Sequence, residues 1–381
     1  MLPESEPIDI LMFAEDPGAA NYVIPLYFDL QKSDLEVKVL AAGIAKEYFR
    51  GRSIPFESAQ KRDGAECILE SLAPRVLVAG TAENLDTFGL DLIAVAKRKG
   101  IITVGVIDAF MNAAFRFSGK TGDPRAFAPD WVLVPDERVA REFVELGYDR
   151  NRVLACGHPH YDYYAEKRML LDRQGEEEVR NRLFPNVEPS RRIVVFACEG
   201  SARVSPVAKE EFSEYAFLGS GKVRGRTEIV IEEFLDVLKT IGPRPYLVLR
   251  LHPKDCVEDY AGYLDEFDFV SQGGEASELI YASDLVLGMT SMLLQEAVIL
   301  GRPVLSIIPR AKEMEWLPPL GSGMIVHATS RSMIRERLGD MLGIHANQGE
   351  IRFEYISGAS ERSSAFIRSL ISGAVSEEGS S

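Results

Sequence analysis

The residues best suited to chemistry in this sequence fall where an apolar run ends and helical spacing begins. In residues 283–308, SDLVLGMTSMLLQEAVILGRPVLSII, a short apolar run (285–287) gives way to a hydroxyl-bearing loop (288–291). Helical spacing follows over 292–300, and Gly301 to Pro303 stops it before a second apolar run at 304–308. Thr290 and Ser291 therefore stand at a predicted helix N-terminus. Unpaired backbone N–H groups and the positive end of the helix dipole suit an anion such as phosphate there. One turn further on, Glu296 is acidic in an otherwise apolar helix, and its carboxylate could hold a ribose.

Two other segments offer partners for an anion. The run 246–251 leads straight into Arg250-Leu251-His252-Pro253-Lys254, which puts a donor, His252, and a cation, Lys254, at the end of a predicted buried strand. A histidine capping a turn is the competing account. The run 192–197 leads into Cys198-Glu199-Gly200-Ser201, where small residues let backbone amides approach a ligand. The GSGK stretch at 219–222 is no phosphate-binding P-loop, because Val223 follows the lysine where Ser or Thr is required.

In the first half, the loop AEDPGAAN (14–21) lacks the G-x-G-x-x-G spacing of a dinucleotide cradle. Asp16 and Asn21 could wall an acceptor site, although Asp16 could equally cap the next helix. Asp108 ends the run 102–107, where a carboxylate could take a proton from an acceptor hydroxyl or merely serve turn chemistry. Glu83 and Asn84 share that edge. His158 and His160 form an H-x-H pair in CGHPHYD, read as a hinge with polar atoms facing a cleft rather than as a metal site.

These residues need a scaffold of alternating strands and helices. Apolar runs at 8–14, 36–41, 75–79, 102–107, 131–134 and 152–155, then at 192–197, 246–251, 268–270, 285–287 and 304–308, predict strands. Helical spacing at 19–31, 90–98, 137–146, 227–240 and 291–300 lies between them. Such alternation predicts an α/β fold on parallel sheets. The length of 381 residues predicts two domains. They are placed at 1–165 and 190–355, and the charged stretch 161–191 is read as the join. A C-terminal helix over 356–375 could cross back to the first domain, and the tail 376–381 has a disordered composition.

A formal net charge of −15 argues against nucleic acid as a partner, although Lys222, Arg224 and Arg226 form a local basic spot that could meet an anionic substrate or lipid headgroup. Residues 1–7 carry acids where a secretory leader has basic residues, and no apolar run approaches the roughly 18–20 residues that span a bilayer. The four cysteines are scattered and read as reduced thiols of a cytoplasmic protein.

Taken together, the segments RVLACGHPHYD and SDLVLGMTSMLLQEAVILGRPVL resemble the interdomain and donor-binding segments of GT-B glycosyltransferases and of the non-hydrolysing UDP-N-acetylglucosamine 2-epimerases. That resemblance implies two Rossmann-like domains with parallel sheets facing a central cleft, Asp162 as the interdomain aspartate and Glu296 on the donor ribose. A narrower resemblance is to bacterial sialyltransferases, capsule Kdo transferases and teichoic-acid glycerophosphotransferases, which pair an His-Pro motif with Ser/Thr. Here the counterparts are His252-Pro253 and Thr290-Ser291. The acidic motif of the sialyltransferases has only Cys198-Glu199-Gly200 and Asp108 as counterparts.

The resemblance implies transfer of a sugar or sugar-like group from a nucleotide-activated donor to a glycan or lipid-linked acceptor, without a metal or other cofactor. The enzyme would be cytoplasmic and could be peripheral to the inner membrane face. His252 and Lys254, with Ser201, Thr290 and Ser291, would neutralise the donor phosphates, and Asp108 would be the base. A nucleotide-sugar 2-epimerase and a catalytically silent nucleotide-sugar binder are the alternatives.

Overall fold

Strands whose residues are apolar on both faces must be covered on both sides, which is the arrangement of parallel sheets flanked by helices. A computed structural model of the chain describes residues 8–82, 84–200, 215–220, 225–316, 325–343 and 357–373. Its contacts divide the chain into two compact units, Met1–Tyr163 with Ile356–Ser381, and Tyr164–Tyr355.

The first unit holds β1 (Ile10–Ala14), β2 (Val37–Ala41), β3 (Glu57–Ser58), β4 (Val76–Gly80), β5 (Ile102–Val106), β6 (Trp131–Val134) and β7 (Val153–Ala155). The second holds β8 (Ile193–Ala197), β9 (Tyr246–Arg250), β10 (Phe269–Ser271), β11 (Leu285–Gly288), β12 (Val304–Ile307) and β13 (Val326–Ala328). Among the described residues the strand orders are β3-β2-β1-β4-β5-β6-β7 and β10-β9-β8-β11-β12-β13, and every pairing is parallel. Both units are thus Rossmann-like. The order reverses between β1 and β4 and between β8 and β11, so the loops leaving those strands diverge and open a crevice at the carboxyl edge.

Helices in chain order are α1 (Pro17–Leu30), α2 (Ala45–Gly51), α3 (Ala65–Leu72), α4 (Phe88–Arg98), α5 (Glu137–Glu145), α6 (Pro159–Gln174), α7 (Glu176–Leu183), α8 (Arg226–Leu238), α9 (Ser277–Tyr281), α10 (Met292–Ile299), α11 (Arg331–Met341) and α12 (Ala359–Ser372). The stretch 161–191, read from sequence as a charged join, is mostly α6 and α7. Acids in the first turn of α7 and arginines in its last complement the helix dipole, so its charge is compatible with order.

Helix α12 packs in the first unit. Phe366 meets the Trp131 ring edge-on at 4.9 Å, and Arg362 Nε donates to the carbonyl of Cys156 at 3.0 Å. Gly358, the N-cap of α12, has no side chain to satisfy the first amides. Asp162 does so instead, accepting from the N–H groups of Gly358 at 2.8 Å and Ser360 at 2.9 Å. Such a cap contributes about 1 kcal/mol. Among the described residues no helix is long and apolar enough to cross a membrane.

Candidate functional site

The second unit's crevice is built by register. Phe196 of β8 pairs with Leu287 of β11, so the residues leaving those strands, Glu199 and Met289 to Ser291, face each other across the switch point. Glu199 Oε1 accepts from the amides of Met289 at 2.9 Å, Ser291 at 2.6 Å and Thr290 between them. Its other oxygen accepts from Thr290 Oγ1 at 2.9 Å and Arg226 Nη1 at 2.8 Å. Ser291 is the N-cap of α10 and accepts the amide of Leu293 at 3.2 Å. The amides that the sequence presents as free for a phosphate are therefore taken by the protein's own carboxylate. Both oxygens of Glu199 are thus occupied by hydrogen-bond donors.

Arg226, the first residue of α8, ties this loop to a third. Its guanidinium contacts Glu199, Thr290 Oγ1 at 3.2 Å and Glu313 Oε2 at 2.7 Å. Glu313 is fully buried and also pairs with buried Arg310. Trp316 lies within cation–π range of both arginines, 5.7 and 5.6 Å from ring centroid to guanidinium carbon. Burial opposes the charge on Arg226, but Glu199 and Glu313 more than offset it and hold the group protonated. Two acids and two arginines thus balance at the floor of the crevice. Glu296 and Gln295 are both buried in α10, and Gln295 Oε1 has no hydrogen-bond partner among the described residues.

Beside β8 in the sheet, β9 delivers His252 to the same carboxyl edge. His252 is half-buried and Lys254 exposed. The His252 Nδ1 accepts the amide of Lys254 at 3.2 Å, so the neutral ring carries its proton on Nε2.

In the first unit Asp108 follows β5, and its Oδ1 accepts from Arg116 Nη1 at 3.0 Å, with Arg116 buried. The carboxylate lies against the first turn of α1, where a Cβ on Gly18 would come 1.6 Å from Oδ2. Asp16, the N-cap residue of α1, makes no capping bond with its side chain, so the helix N-terminus meets Asp108 instead. Asn21 lies one turn further on, and its buried Oδ1 has no hydrogen-bond partner among the described residues.

His158 is buried, contrary to the reading that its polar atoms face a cleft. Its Nε2 donates to the Asp108 carbonyl at 3.0 Å and its Nδ1 accepts the amide of His160 at 3.3 Å. His160 is buried too. Burial, and after it the neighbouring His160, pushes the His158 pKa down to about 3, so the ring is neutral. With both nitrogens committed to backbone, His158 is a brace between loops.

The fold thus gathers Glu199, Gly200, Thr290 and Ser291 at one switch point, and brings Asp108 to the N-terminus of α1, the helix that carries Asn21. Ser201, Glu83, Lys222, Arg224 and the tail 376–381 lie outside the described residues. Sequence reasoning missed Arg116, Glu313 and Glu15. Glu15 follows β1 as Glu199 follows β8, and its Oε2 accepts from Thr87 Oγ1 at 2.6 Å and the Phe88 amide at 3.1 Å at the start of α4. A glutamate just after the first strand of each sheet was the available signal.

No protein-family model matches this sequence, and no curated protein matches it. Solved structures do. The UDP-GlcNAc 2-epimerase of Neisseria meningitidis bound to UDP-GlcNAc matches with a TM-score of 0.65 at 14% identity, covering 96% of this chain and 100% of that one. MnaA of S. aureus in complex with UDP gives 0.66 at 14% identity, over 98% and 99%. The wall teichoic acid polymerase TagF gives 0.58 at 14% identity, over 98% and 92%. The chain therefore has the GT-B fold, two Rossmann-like parallel-sheet domains, that these epimerases and the polymerase share.

Proposed function

We propose that the protein binds a nucleotide-activated sugar on its second unit and transfers the sugar, or a sugar-like group, to an acceptor hydroxyl. One observation carries the donor reading. Three consecutive amides, Met289 to Ser291, converge on a single anionic oxygen at the switch point of the sheet. The Glu199 carboxylate stands where a phosphate oxygen of the donor would bind, and the donor takes its place. His252 and Lys254 meet the phosphates from β9, Ser201 is assigned to the same phosphates from the sequence alone, and Glu296 reaches the ribose. Fixed donors of this kind stabilise a departing phosphate without a metal.

In this reading Asp108, oriented by Arg116, is the base, with Asp16, Asn21 and Glu83 on the acceptor side. The acceptor in this reading is a glycan or a lipid-linked acceptor met in the cytoplasm or at the inner face of the membrane.

A nucleotide-sugar 2-epimerase is the second reading. It is supported by the epimerase structures, which match with TM-scores of 0.65 and 0.66 against 0.58 for the polymerase. Incubation with UDP-, CDP- and CMP-activated donors, followed by proton and phosphorus NMR, separates the two. Free nucleotide released faster when an acceptor glycan is added supports transfer, and the C2 epimer of UDP-GlcNAc supports epimerisation. Saturable binding with no turnover sinks both enzymatic readings, and no binding at all sinks the donor site.

A further inference from the structure

The two oxygens of the Glu199 carboxylate meet different kinds of donor. Oε1 takes the three amides of Met289 to Ser291, whereas Oε2 takes the Thr290 hydroxyl and the guanidinium of Arg226. The amides are neutral and fixed by the loop. Arg226 is a cation whose side chain is only 12% exposed, and Glu199 is one of the two carboxylates it contacts among the described residues.

The other carboxylate holds Arg226 in place without Glu199. Arg226 Nε donates to Glu313 Oε2 at 2.7 Å, Nη2 lies 2.5 Å from the same oxygen, and the Glu313 side chain is fully buried. The second oxygen of Glu313 accepts from Arg310 Nε. Arg226 Nη1 is left to reach across to Glu199 Oε2 at 2.8 Å. Withdrawal of Glu199 would therefore leave a held, nearly buried guanidinium short of one anion, which is costly. An incoming anion removes that cost, and a neutral ligand does not. Phosphate oxygens suit a guanidinium as well as carboxylate oxygens do.

We propose that Arg226 is a counter-ion shared in turn by Glu199 in the free protein and by a donor phosphate in the bound one, so that an anion and not a neutral ligand displaces Glu199. One phosphate oxygen takes the three amides, and a second takes Arg226 Nη1 and the Thr290 hydroxyl. The proposal rests on the donor reading of the second unit and adds to it a phosphate ligand from α8.

The exchange has a signature in paired variants. Arg226→Gln alone removes a contact to the phosphate and also a contact that holds its competitor, so the two effects oppose. In Glu199→Ala, which has no competitor, the same substitution lowers nucleotide affinity about tenfold or more, a larger loss than in the native chain. An arginine that served only to hold Glu199 would cause no loss in that background.

Isothermal titration of the full chain with UDP, CDP and CMP tests this, the best binder of the three serving for every variant. Thermal melts in inorganic phosphate give a readout free of base and ribose. Phosphate raises the melting temperature of Glu199→Ala and has little effect once Arg226→Gln is added. Arg226→Lys keeps the charge without the planar fork, shows an intermediate loss, and replaces the glutamine variant if that one does not fold. A nucleotide affinity or a phosphate shift that the Arg226 substitution leaves unchanged in Glu199→Ala overturns the proposal while leaving the donor site standing. If none of the three nucleotides binds the native chain, the donor reading falls and this proposal falls with it.

Discussion

Glu199 Oε1 accepts the amide of Ser291 at 2.6 Å, so a residue leaving β8 closes the N-terminus of the helix that follows β11. The same carboxylate neutralises Arg226, and both residues are nearly buried. An anionic ligand at this point meets a place already filled. Its apparent affinity is lowered by the free energy that holds Glu199 there.

Glu199→Ala should therefore weaken the free protein and strengthen anion binding. Loss of the cap and of one Arg226 partner costs about 1–3 kcal/mol of stability. In compensation, UDP should bind about tenfold more tightly, and inorganic phosphate should restore much of the lost melting temperature. A variant that loses stability and also binds UDP less tightly would show that Glu199 assists the ligand and does not compete with it.

The absence of a side chain at Gly18 matters for a local reason. A methyl group at that position would overlap Asp108 Oδ2, so the carboxylate, which buried Arg116 holds through Oδ1, would have to shift. Gly18→Ala should cost about 1–3 kcal/mol by urea unfolding. Pairing it with Asp108→Ala should remove most of that cost, since the obstacle is then gone. A full, undiminished penalty in the pair would point to the backbone of α1 instead.

Asp162→Ala should loosen α12 selectively. The cap it supplies to Gly358 and Ser360 contributes about 0.5–2 kcal/mol. Hydrogen exchange should rise in residues 359–372 while the amides of β8 and β9 keep their protection. Uniform acceleration across both units would show that α12 does not open on its own.

His158 makes stability depend on pH in a stated direction. Its pKa falls from 6.5 to about 3 on folding, chiefly through burial, so the unfolded chain binds the extra proton. The contribution is complete above about pH 6.5 and is lost as pH falls toward 3, at up to about 1.4 kcal/mol per pH unit. Urea midpoints at pH 6.5 and 5 should therefore separate more in the native chain than in His158→Gln, which keeps a donor for the Asp108 carbonyl. Equal separations would retire this account.

Much of the scaffold was readable before any coordinates, because fully apolar strands such as Ile193–Ala197 and Leu285–Gly288 leave a strong local imprint. The short edge strands Glu57–Ser58 and Val326–Ala328 do not, since they are brief and only partly buried or exposed. At the site, local spacing located Thr290 and Ser291 at a helix start. It could not say what fills that start, because Glu199 arrives through the β8–β11 register from 92 residues away. His158 misled for a similar reason. The residues flanking it suggested a hinge with polar atoms facing a cleft, whereas its partner, the Asp108 carbonyl, lies 50 residues earlier in the sequence.

The cap that Asp162 places on Gly358 spans 196 residues of sequence. A ribosome adding roughly 5–20 residues per second needs on the order of ten seconds or more to make that intervening stretch. Throughout that time the nascent first unit lacks the helix that covers Trp131 and Tyr22, while the second unit, compact in its own contacts, emerges. The order of synthesis is therefore the reverse of the order of completion: the half begun first is finished last.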